Sequence, residues 1–106
     1  MTLQTQAVLR ALLVAPAVEL YGLQLCSVAE LPSGTIHPIL ARLESAGWVE
    51  SRWEEVDPGE AGRPRRRYYR LSPDGAERAR IALAAASAKR SALRALRPGL
   101  TGGATA

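Results

Sequence analysis

The stretch PSGTIHPILARLESAGW, residues 32 to 48, carries a helix start, an apolar stripe and a helix stop in one short run. Ser33 offers a capping hydroxyl and Gly47 a C-terminal stop, while Ile36, Ile39, Leu40 and Leu43 recur at the spacing of one buried helix face. With that stripe turned inward, at about 100° per residue, the outward positions are Gly34, His37, Pro38, Ala41 and Ser45, with Arg42 on the flank. These side chains are small and nearly uncharged. A bare face of this kind lets the helix backbone approach a partner closely, as in a DNA groove, with Ser33, Thr35 and His37 near base edges or phosphates. The alternative is a plain solvated surface. Pro38 forfeits a backbone hydrogen bond to Gly34, where the missing side chain is expected to ease the strain.

Upstream, Gly22 to Ala29 predicts a second short helix with Leu25 and Val28 on one face, ended by Leu31-Pro32. Two helices separated by about four residues fit a helix-turn-helix, although any helical hairpin shares the spacing. Before them, Val8, Leu9, Leu12 and Leu13 predict a largely buried helix over Thr5 to Ala15, stopped by Pro16. Downstream, WVESRWE (48–54) and RRYYRLS (66–72) flank the turn-rich EVDPGEAGRP and predict a β-hairpin with a long loop. On its second strand Arg67, Tyr69 and Leu71 share one face, and Tyr68 and Arg70 the other. A helix-turn-helix followed by such a hairpin is a winged helix.

Ser72-Pro73-Asp74 is a strong helix start, and the helix should run to about Leu96. Its alanine-rich part displays Ile81, Leu83, Leu93 and Leu96, more apolar surface than a small core covers, so it needs a second surface. The expected organisation is therefore a winged helix-turn-helix over 1–72, a C-terminal helix over 73–97 and a disordered tail over 98–106. The fold class is mainly α with a small β-hairpin (α+β).

Composition narrows the functions. At 106 residues, 47% hydrophobic and 23% charged, the chain predicts one ordered domain. No apolar run approaches the roughly 18 to 20 residues that span a bilayer, and the first residues lack a basic leader, so no membrane association and a cytoplasmic location are expected. The formal charge of +4 and a pI near 10.0 suit a polyanionic partner. One histidine and one cysteine leave few parts for catalysis, and His37 and Cys26 are not at ligand spacing, so no enzyme, cofactor or metal site is expected. Cys26 reads as a buried inert thiol, with a redox sensor as the alternative.

The hairpin concentrates arginines at 63, 65, 66, 67 and 70 against Glu50, Glu54, Glu55, Asp57 and Glu60. Cross-strand pairing should make Arg66, Arg67 and Arg70 partly structural. Arg63 and Arg65, near the loop tip, are then the contacts expected for phosphate or minor groove. Tyr68 and Tyr69 read as one core and one packing residue. Trp48 and Trp53 read as packing at the base of the hairpin, or as the lining of a pocket.

The runs YGLQL (21–25), LPSGTIHPILARLESAGWVES (31–51) and GRPRRRYYRLSPDGAERA (62–79) resemble, in order and spacing, the PadR-like family of bacterial winged-helix transcriptional regulators. That resemblance covers about residues 5 to 80. It implies a sequence-specific DNA-binding homodimer, usually a repressor, often answering to a small aromatic effector. Carried over by position, the DNA contacts are Tyr21, Ser33, Gly34, Thr35, His37 and Pro38, with Gly62, Arg63 and Arg65 on the wing; Arg42 and Arg66 complete the candidate set. The C-terminal helix would supply the dimer contact through Ile81, Leu83, Ala86, Leu93 and Leu96. His37 stands where the family usually has tyrosine. The rival reading is a winged helix used for protein docking.

Overall fold

The computed structural model describes residues 1–96, and the expected disordered tail lies outside them. Its order is α1 (Leu3–Leu13), β1 (Leu20–Tyr21), α2 (Gly22–Ala29), α3 (Ser33–Ser45), β2 (Val49–Trp53), α4 (Pro58–Ala61), β3 (Arg67–Leu71) and α5 (Pro73–Ala95). Thr2 starts α1 by accepting the Thr5 amide on its hydroxyl, so the helix begins and ends two residues earlier than the apolar spacing suggested.

The three strands form one antiparallel sheet in the order β1-β3-β2. The expected hairpin β2–β3 is present, with Ser51 opposite Tyr69 and Val49 opposite Leu71. β1 was not expected. It pairs Leu20 with Tyr69 and Tyr21 with Tyr68, and two residues are too few to show an alternation in sequence.

The core gathers one stripe from each element: Val8, Leu9 and Leu12 from α1, Leu25 from α2, Ile36, Ile39, Leu40 and Leu43 from α3, and Val49, Tyr69 and Leu71 from the sheet. All four stripe residues of α3 are buried as expected. Val28 is not; it is 51% exposed and does not share the face of Leu25. Ser33 is the first residue of α3 and not its cap; Pro32 occupies the cap position and the helix start has no side-chain cap. Gly47 closes α3 in the left-handed region, with its amide bonded to the Glu44 carbonyl and the Trp48 amide to the Leu43 carbonyl.

Ser72 caps α5, accepting the Gly75 amide at 2.9 Å and donating its own proton to the Gly47 carbonyl at 2.8 Å. Only the first part of α5 packs on the body, through Ala76, Ala79 and Leu83. Farther along, the Arg90 guanidinium donates to the Gln6 side-chain oxygen. Among the described residues no helix is long and apolar enough to cross a membrane.

Candidate nucleic-acid interface

α2, the turn at residues 30–32 and α3 form the helix-turn-helix, and Glu30 reverses the chain there in the left-handed conformation (φ 57°). Along α3, Ser33, Gly34, His37, Pro38, Ala41, Arg42 and Ser45 are all exposed, while Thr35 is half-buried. The helix runs unbroken through Pro38. A side chain added at Gly34 would meet nothing within 4 Å, so the chain's own packing does not demand glycine there. His37 is exposed, yet its ring folds back toward α2: a Cβ placed at Gly22 would lie 3.3 Å from the imidazole Cε1.

The wing sits beside this helix through a defined clamp. Glu44, near the end of α3, accepts the Ser51 hydroxyl of β2 and the Arg67 guanidinium of β3, and Arg67 also donates to Ser51 at 2.8 Å. Between α2, the start of α3 and the wing runs a groove of about 350 Å³ lined by Tyr21, Ser33, His37, Arg63, Arg66 and Arg67, among others. Cys26 is half-buried, lining this groove and packed against the core, so the expectation of a buried thiol is met only in part.

The arginines are not used as expected. Arg63 was to be free; instead it grips Glu54 with both terminal nitrogens, at 2.6 and 3.0 Å. A nearby carboxylate offers a long cation a closer partner than any phosphate. Arg65 is exposed and donates through Nε to the Val56 carbonyl at 2.8 Å. Arg67 and Arg70 pair with Glu44 and Glu50, as expected of structural arginines. Among the described residues the guanidiniums of Arg66 and Arg42 form no ion pair, although the Arg66 backbone amide donates to the Glu54 carboxylate. Tyr69 is buried, and that burial pushes its phenol upward, while Tyr68 packs edge-on against Tyr21. Trp48 packs on the core; Trp53 is 57% exposed beside Pro58, Pro64 and Arg65, with Arg67 over its ring.

The Arg63 hydrogen bond holds the Glu54 carboxyl down at about 2, from an ordinary 4.5. Because the folded value is the depressed one, the contribution of this pair is complete above the ordinary value and is lost as pH falls through about 2. A carbon-detected NMR titration of Glu54 should therefore show no transition near 4.5, and Arg63→Ala should restore one. A wild-type midpoint in the ordinary range contradicts the pairing.

These elements define a winged helix-turn-helix, with an exposed, sparsely furnished second helix and a cationic groove beside it. The profile of the "Transcriptional regulator PadR-like family" matches residues 16–81, and the chain belongs to that family of DNA-binding, non-enzymatic regulators. Similar solved structures include a protein of Streptococcus mutans UA159 (TM-score 0.66, 22% identity, 90% of each chain covered). A PadR-like transcription factor from Bacteroides fragilis has TM-score 0.66 and 21% identity over 87% of each chain. A PadR family regulator from Clostridium difficile R20291 has TM-score 0.62 and 18% identity, over 94% of this chain and 99% of its own. At such identities these structures establish the fold. No functionally curated protein matches the chain.

Among the described residues, then, Ser33, Gly34, His37, Pro38 and Arg42 share one exposed surface with the groove that holds Tyr21 and Arg66. Arg65 lies farther out on the wing, and Arg63 is drawn into an ion pair. Sequence reasoning missed the Glu44 clamp and the stacking of Arg66 on Tyr21, both of which depend on β1 or on strand register.

Proposed function

We propose that the chain is a homodimeric repressor that places two copies of α3 in successive major grooves of a near-palindromic operator, about one DNA turn (~34 Å) apart. The observation that carries this reading is Gly34: an outward helix position with open space around it, kept bare without any demand from the fold. Ser33, His37, Pro38 and Arg42 then read bases and phosphates, Arg65 reaches flanking backbone, and occupancy excludes polymerase. Thr35, half-buried, contributes at the edge of this surface.

Dimerisation through α5 is supported by its uncovered apolar residues: Ile81 is 61% exposed, Leu93 52% and Leu96 75%. The candidate set divides, however. At about 100° per residue, Ile81 points away from the side occupied by Leu83, which packs on the core, and by Ala86, which is half-buried. Ile81 is therefore the contact a partner helix would cover first. Ile81→Glu should convert the dimer to monomer in sedimentation and lower operator affinity by at least tenfold, since a buried unpaired carboxylate at such an interface costs about 2 kcal/mol or more. An unchanged sedimentation coefficient removes α5 from this role.

Release by a small aromatic effector would require differential affinity for two separations of the recognition helices. The test of the whole reading is selection of bound fragments from the source genome, followed by a salt titration. Affinity should fall by roughly 0.9 log units per log salt for each phosphate contact. A chain that selects no duplex belongs with the protein-docking alternative.

A further inference from the structure

The wing arginines differ in what holds them, and Arg65 rests on the Val56 carbonyl. Arg63, Arg67 and Arg70 each meet a carboxylate, which neutralises the charge and occupies N–H donors. Arg66 is held differently. Its guanidinium carbon lies 4.1 Å from the centroid of the Tyr21 ring. Among the described residues its guanidinium makes no hydrogen bond; its backbone carbonyl accepts the Glu54 amide at 2.8 Å and its backbone amide donates to the Glu54 carboxylate at 3.2 Å. An aromatic face attracts a guanidinium while leaving its charge and its in-plane donors free.

Tyr21 is itself fixed from several directions. Its backbone amide donates to the Gln24 side-chain oxygen at 3.1 Å, and β1 pairs it with Tyr68. The Tyr68 ring meets it edge-on, with centroids 5.8 Å apart and planes at 80°. Tyr68 in turn carries Arg52 at 5.0 Å, and Arg52 is gripped by Glu19 with bonds of 2.6 and 2.8 Å. A row of two rings flanked by two cations thus crosses the outer face of the sheet and ends at Arg66, in the groove beside Ser33 and His37.

We propose that Tyr21 is a positioning residue whose ring pre-orients Arg66 as the phosphate-binding guanidinium of the wing groove. This deepens the DNA-binding reading and rests on it. It departs from the sequence-based expectation that Arg63 makes the contact and that Tyr21 itself meets the DNA backbone. A cation already in place loses little side-chain freedom on binding, so removing the platform weakens affinity without changing the number of phosphates neutralised.

The test uses the full chain and a duplex selected from a random pool by the wild-type protein. Arg66→Ala should lose about tenfold in affinity and flatten the salt slope by roughly 0.9 for each contact removed. Tyr21→Phe keeps the ring and should bind like wild type. Tyr21→Leu should lose roughly three- to fivefold while keeping the wild-type slope, and should cost nothing further in the Arg66→Ala background. Equal losses for Tyr21→Phe and Tyr21→Leu would instead mark a hydroxyl contact. Equal cost of Tyr21→Leu in both backgrounds marks a merely structural role, and thermal melts of every variant identify any that fail to fold. An unchanged slope in Arg66→Ala also overturns the assignment. Wild-type protein that binds no duplex at low salt defeats the DNA-binding reading and this proposal together, whereas wild-type binding with a flat Tyr21→Leu response defeats the proposal alone.

Discussion

Gly75→Ala is expected to cost about 3 kcal/mol or more of stability and to lower the melting temperature by more than about 10 °C, at the ~4–8 °C per kcal/mol typical of small domains. Helix propensity argues the opposite sign, because alanine exceeds glycine by about 1 kcal/mol in a helix interior. Packing decides. A Cβ at position 75 would stand 2.6 Å from the Trp48 Cα and closer still to its carbonyl oxygen, and these are backbone atoms that cannot rotate away. The same junction carries the Ser72 amide bond to the Trp48 carbonyl and the Ser72 hydroxyl bond to Gly47. Relieving the clash therefore means lifting the start of α5 from the α3–β2 connection and breaking its cap. Urea unfolding monitored by circular dichroism reads the effect, and a midpoint equal to wild type would refute the close approach.

The second large effect falls on DNA affinity. Ala41 lies on the exposed face of α3, in the middle of the small-residue surface. Ala41→Glu places a carboxylate where the proposed complex brings phosphates. Like-charge juxtaposition of this kind costs several kcal/mol, so affinity should drop about 100-fold or more. Stability should change by no more than about 0.5 kcal/mol, as at other exposed positions, including a small repulsion from Glu44 three residues on. Ala41→Gln separates bulk from charge and should fall between the two. Retention of full affinity by Ala41→Glu, with the protein folded, would remove α3 from the groove.

Much of the fold was legible because long elements repeat their signal. The stripe Ile36, Ile39, Leu40 and Leu43 defined both the inward face of α3 and, by subtraction, its bare outer face, and all four residues are buried. Ser72, Pro73 and Asp74 announced α5 through a local interaction, and the predicted cap is present. Local signals failed where they competed. Ser33 can cap a helix in isolation, but the chain enters α3 from Pro32 in an extended conformation and spends Ser33 as the first helical residue. Val28 has helical spacing to Leu25 and still faces solvent, since a helix of eight residues offers the core only a narrow edge.

The candidate site was legible as a surface and not as a set of hands. Residue type and periodicity placed Gly34, His37, Pro38 and Arg42 outward. They ranked Arg63 and Arg65 ahead of Arg66, Arg67 and Arg70 by nearness to the loop tip, and the Arg63–Glu54 ion pair departs from that ranking, because all five have the same chemistry and reach. Which of them remains open depends on where Glu54, Glu44 and Glu50 end up, and those positions follow from strand register. Arg66 escapes pairing through a platform built on β1, a strand whose two residues carry no pattern of their own.

From its amino acids alone, then, this chain specified the helix-turn-helix, the wing, the core stripes and the bare outer face of α3, because hydrophobic burial acts through short periodic spacings that any segment displays by itself. Tertiary structure alone decided which cations are spent on carboxylates, how α5 seats against Gly75, and that Tyr21 supports Arg66. Those outcomes depend on distances of a few ångströms between residues remote in sequence, and such distances exist only once the sheet has closed.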